Sequence, residues 1–260
     1  MMTSKKNFQK KSIVQFFTLT FIFTIPAYVL ITLTGLNIIL SPEMVFSFIP
    51  VAVLAPISAA LVLTYRKSGR TGVKELLKRT FDYKRVKNKK WFLPTLLSMP
   101  LLFLLSWGAS DVLGLELTIP GVPLIAVPIL LISFFISATT ENIGWMGYAF
   151  EPMRERWGAN KATLILAIIW MLWHVPMYLF TFPDSITIVA QLVSMMGLRF
   201  LITWLFLNTG KSVFIVIVFH AVYNVCMAVF PVSFVGNATI FIIAAIVVLA
   251  YGFKRVRSIA

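Results

Sequence analysis

PLIAVPILLISFFISATTENIGWMGY, residues 123–148, is the stretch whose reading decides the fold. A long apolar run starts at Pro123, and Glu141 stands near its end. About 20 apolar residues in a helix cross a bilayer, so the stretch predicts a membrane helix that carries a carboxylate. An ionised group in hydrocarbon is expensive unless something pairs with it or water reaches it. Glu141 is the only acidic residue read as lying within the membrane, Asp111 standing at the outer end of its run, which makes it a functional candidate by default.

The rest of the chain fits the same solvent. Of its 260 residues, 59% are hydrophobic and 12% charged, with a mean hydropathy of +0.91. A soluble globule of this composition would expose far too much apolar surface. The expected fold is all-α: a single integral-membrane domain over 1–260 with about eight transmembrane helices. The apolar runs are 13–36, 45–65, 91–113, 123–148, 162–180, 187–207, 212–230 and 235–253. The first follows Lys5, Lys6, Lys10 and Lys11, but it is long enough to span and no small-residue cleavage site follows it, so it reads as an uncleaved helix. Pro26, Pro50, Pro56, Pro94, Pro100, Pro128 and Pro176 lie within apolar runs and are expected to kink helices. The lone cysteine, Cys226, excludes an intrachain disulfide and reads as a buried structural thiol.

Charge sets the orientation. With the N-terminus inside, 22 of the 23 Lys and Arg residues fall on one side, and the opposite loops hold none. The positive-inside rule then predicts cytoplasmic termini. The net charge of +14 is accounted for by topology and by contact with anionic lipid headgroups at the cytoplasmic face, not by nucleic acid. Arg199 is the remaining cation, inside the sixth span. A cation there is expected to face the bundle interior, to pair with an acid or to meet local water, and Glu141 is the intramembrane acid it can pair with.

Both histidines of the chain are intramembrane. Trp170 and His174 are four apart on the fifth span, and His220 and Asn224 are four apart on the seventh, so each pair shares a helix face. A carboxylate can deprotonate water, a histidine can share that work, and imidazole and carboxamide N–H groups can stabilise an oxyanion. Taken singly, such polar groups more often join helices than catalyse. Trp170 and Trp173 read as packing and interface anchors.

Three motifs in order, Glu141 with Gly-Trp-x-Gly-Tyr, Trp170-x-x-x-His174 and His220-x-x-x-Asn224, resemble those of the CPBP intramembrane proteases. That family includes the CAAX prenyl endopeptidases of the Rce1 type and Abi-type homologues linked to bacteriocin processing and self-immunity. The resemblance covers roughly 139–226, within a family-like core of about 123–230. It implies an intramembrane endopeptidase acting on a membrane-associated, prenylated CAAX-type or leader-peptide substrate in a multi-pass membrane protein. The basic, Phe- and Lys-rich character of the chain points to a prokaryotic plasma membrane. By resemblance, Glu141 and His174 activate water, while His220 and Asn224 hold the tetrahedral intermediate. No cofactor is expected, although one Glu and two His (Glu141, His174, His220) can also ligate zinc.

The chain departs from the family pattern at two positions. Asn142 stands where the motif has a second glutamate, and Met146 where it has an arginine. Asn cannot act as a base and Met removes a positive charge, which leaves Arg199 to supply it from another helix. Two other readings stay open at this point: a non-catalytic scaffold or immunity factor of the same fold, and a proton-coupled transporter using Glu141, His174, His220 and Arg199.

Overall fold

The computed structural model describes residues 2–119, 122–182 and 184–252. The helices are α1 (Met2–Gly35), α2 (Ile49–Val53), α3 (Ala55–Lys78), α4 (Phe92–Val112), α5 (Val127–Asn142), α6 (Phe150–Thr181), α7 (Ser185–Asn208), α8 (Val213–Val229) and α9 (Phe234–Val247). A π-helical segment, Ile143–Ala149, joins α5 to α6, and a second, Val248–Gly252, follows α9. Among the described residues, β-structure is limited to an isolated antiparallel bridge between Thr118 and Val232. The chain is an all-α, multi-pass integral membrane protein.

Six helical stretches are long and apolar enough to cross a bilayer: Ser12–Gly35, Met44–Phe81, Lys89–Val112, Leu124–Trp157, Ala159–Thr181 and Ser185–Asn208. The last two expected spans form shorter apolar helices, Val213–Val229 and Phe234–Ala250. Ile125, Ile129, Ile132 and Ile136 are all exposed. Their three- and four-residue spacing makes one continuous apolar stripe, which is costly in water and suited to lipid.

The prolines divide into two kinds. Pro26, Pro100 and Pro176 lie inside helices, as expected. Pro50, Pro56, Pro94 and Pro128 instead fall in the first turn of α2, α3, α4 and α5. There the missing N–H has no intrahelical acceptor to lose, so these residues start helices without kinking them. Two long helices are interrupted by glycine instead. Gly69 (φ 60°) and Gly158 (φ 76°) adopt left-handed backbone inside α3 and α6, a conformation glycine reaches without steric cost.

The chain forms two compact units. One comprises the chain up to Phe81 with the stretch from Thr139; the other comprises Asp82–Ala138 with the chain from Asp184. In the first, α1 packs on α3 and α6, and α3 packs on the π segment. Trp145 is its buried hub, with Phe16 edge-on at 5.4 Å, Phe17 stacked at 6.2 Å and Trp173 edge-on at 5.8 Å. In the second, α7 packs on α9, and α4 packs on α8 and α9. Phe103 meets Tyr223, Phe230 and Phe241 there at ring separations near 6 Å.

Candidate active site

Glu141 lies at the end of α5 and is 4% exposed. The Trp170 indole Nε1–H donates to its Oε2 at 2.8 Å. A hydrogen bond to a charged acceptor is worth about 1.5–3 kcal/mol, a substantial fraction of what an acid in an apolar setting needs. Trp170 therefore does more than pack or anchor, correcting the expectation from its aromatic neighbourhood: it is a ligand of the carboxylate.

The same residue also orients His174, which is 8% exposed. His174 Nδ1 lies 2.8 Å from the Trp170 carbonyl oxygen one turn earlier. A carbonyl only accepts, so Nδ1 carries the proton of this bond, and in the neutral imidazole Nε2 is then the acceptor nitrogen. Trp170 and Trp173 stand edge-on to the imidazole at 5.0 and 4.7 Å, and Tyr178 lies 5.4 Å away. One tryptophan thus joins the two groups expected to handle water: indole to Glu141, backbone to His174.

The π segment begins two residues after Glu141. π turns are rare and gather at functional sites. Gly144 is required here, because a Cβ on it would lie 2.6 Å from the Pro56 carbonyl oxygen of α3. Arg79, just past α3, donates from Nη1 to the Gly147 carbonyl at 2.7 Å. A cation thus reaches the backbone beside Met146, and it comes from the turn that follows α3. Asn142 and Met146 are both fully buried.

His220 and Asn224 lie on α8, in the other unit. His220 is 3% exposed, with the Tyr223 ring 6.3 Å away. The start of α8 is held firmly: Asp82 Oδ1 accepts from Ser212 Oγ at 2.7 Å and from the Phe214 N–H at 3.0 Å. A carboxylate at a helix N-terminus satisfies open N–H groups and complements the dipole. Arg199 lies on α7 in the same unit and is fully buried, so it faces protein and not lipid. Among the described residues, no three His, Cys, Asp or Glu side chains gather where a metal could be held.

With this geometry in view, comparison with known proteins is specific. Residues 123–226 match the model of the type II CAAX prenyl endopeptidase Rce1-like family. This segment is Rce1-like. The resemblance drawn from the three motifs is borne out, and Glu141, His174, His220 and Asn224 all fall within the Rce1-like residues. CAAX prenyl protease 2 of Methanococcus maripaludis is 25% identical over 222 residues, covering 75% of this chain and 78% of the relative. These likenesses support an intramembrane endopeptidase in general. Arg79 and Asp82 lie outside the Rce1-like segment, and sequence reasoning took Arg79 only as a topology charge. Its signal was the missing arginine at Met146, sought in Arg199.

Proposed function

We propose that this protein is a glutamate-dependent intramembrane endopeptidase. Glu141, assisted by the Nε2 lone pair of His174, takes a proton from water as the water oxygen attacks the scissile carbonyl carbon. The developing oxyanion is assigned, by resemblance, to the N–H groups of His220 and Asn224. The glutamic acid formed in the first step then returns its proton to the leaving amine as the C–N bond breaks. The observation that carries this reading is the Trp170 bridge, which holds the carboxylate through its indole and the imidazole through its backbone. Proton transfer by positioned groups contributes about 10²–10⁴-fold in rate, and positioning of this kind is what it requires.

The substrate proposed first is a membrane-associated peptide with a prenylated CAAX-type end, because the Methanococcus maripaludis relative bears that name. A leader peptide is the second probe. Exposed cations at Arg66, Arg70, Lys74 and Lys78 support contact with anionic headgroups on the cytoplasmic side of a prokaryotic plasma membrane.

The test is cleavage of both peptides by purified protein in detergent, with Glu141→Gln and His174→Ala alongside wild type. Loss of cleavage by at least 100-fold in each variant is expected. Retained cleavage in both sinks the assignment and returns the chain to a scaffold or immunity role. Activity lost to a chelator and restored by zinc would replace the glutamate mechanism with a metal one.

A further inference from the structure

Every residue that the resemblance supplies lies after Pro123, yet α1 reaches the same site. Thr20, Thr24 and Tyr28 recur every four residues, so they form one row along α1. Thr20 and Thr24 are fully buried, and buried hydroxyls in a membrane helix need partners. Thr24 Oγ1 donates to the Thr20 carbonyl at 2.7 Å and accepts the Trp173 indole N–H at 2.9 Å. The Tyr28 hydroxyl donates to the Trp173 carbonyl.

This carbonyl lies in the turn that Pro176 disturbs, since a proline inside a helix removes one ladder hydrogen bond and opens the backbone around it. α1 therefore holds Trp173 at both ends, by its ring nitrogen and by its backbone. Trp173 in turn stands edge-on to His174 at 4.7 Å. Thr24, Tyr28, Trp173, His174 and Glu141 belong to one compact unit.

We propose that Tyr28 and Thr24 are positioning residues of this site: they fix Trp173, and through it the His174 imidazole. The inference rests on the reading that Glu141 and His174 activate water. It extends the working site to a helix outside the Rce1-like segment, and it gives α1 a task beyond spanning the membrane.

The experiment uses the full chain in detergent and the peptide that wild type cleaves. Tyr28→Phe keeps the ring and removes one hydroxyl; Thr24→Val keeps the shape and removes the acceptor. Tyr28→Phe is expected to lower kcat roughly tenfold, the scale of one lost orienting hydrogen bond, with KM within about twofold. Thr24→Val acts in the same direction and adds nothing in a Trp173→Phe background, where the indole N–H is already gone. Ser12→Ala, which removes the 2.7 Å Ser12–Tyr148 contact of α1, leaves kcat unchanged.

Two results overturn the inference while leaving the protease reading intact. One is wild-type kcat in both Tyr28→Phe and Thr24→Val while Glu141→Gln is inactive. The other is a loss in Ser12→Ala as large as that in Tyr28→Phe, which would mean general loosening of α1. Cleavage retained by Glu141→Gln instead removes the reading on which the inference stands.

Discussion

The Glu141 half and the His220 half of the candidate machinery are fixed in different ways. Around Glu141 the side chains themselves are wired: Trp170 to the carboxylate, His174 to a carbonyl, Trp173 to Thr24. On α8 it is the backbone that is clamped, by Asp82 on the helix start and by aromatic packing of Phe103 and Phe241 around Tyr223. A carboxylate away from water needs donors aimed at it, which the Trp170 indole supplies, while the Asp82 and Tyr223 contacts set where α8 carries its polar side chains.

If the α8 groups act on the transition state, removing either changes rate and little else. His220→Ala and Asn224→Ala are each expected to lower kcat by about 10²–10³-fold, the scale of one lost oxyanion donor. Steady-state kinetics checks this, and a rise in KM at constant kcat would place these residues in substrate binding instead.

On the wired side, Trp170→Phe retains the ring and removes the donor to Glu141. Leaving a charged acceptor short of one hydrogen bond is expected to reduce kcat/KM by about 10–100-fold. A variant as fast as wild type would show that the carboxylate is held by something other than the indole.

Gly144 tests the packing beneath the wiring. Gly144→Ala forces a methyl group against the Pro56 backbone and should cost about 1–3 kcal/mol, read as a lower unfolding temperature in detergent. Gly108→Ala on α4, where a Cβ meets open space, provides the contrast and should not destabilise.

The smallest effect lies outside both halves. Asp184 caps α7 by accepting the Thr187 hydroxyl at 2.7 Å and its N–H at 2.9 Å. These bonds hold its carboxyl below the ordinary range, the hydroxyl contributing most. Because the folded value is the depressed one, the cap stabilises at neutral pH and is lost as pH falls through that value. Melting curves of wild type and Asp184→Ala should differ slightly at pH 7 and converge in acid; a constant gap would mean that ionisation plays no part.

Much of this architecture is legible in the residues. Apolar runs marked all six membrane-length helices, because helix length against bilayer thickness is a strong constraint, although the second and fourth continue to Phe81 and Trp157, well past the ends of their runs. Periodicity also paired Trp170 with His174 and His220 with Asn224. It does not show which residue of another helix a side chain will meet, so the indole–carboxylate bond was read as packing. The Thr20, Thr24, Tyr28 row is visible as polarity repeating every four residues inside an apolar span, but hydroxyls at that spacing can equally bond within their own helix. The clamp from Asp82 joins residues 130 apart in sequence, a distance over which periodicity carries no information.

The π segment has a further consequence, in helical phase. An α-helix turns about 100° per residue, and a π turn departs from that step while keeping the chain helical. Glu141 before the segment and Trp145 and Tyr148 within it are therefore aimed by the length of Ile143–Ala149 as much as by its side chains. Deleting one residue there would restore α-helical phase and swing the carboxylate away from Trp170 with every candidate side chain still present. In this protein a residue count is part of the candidate site.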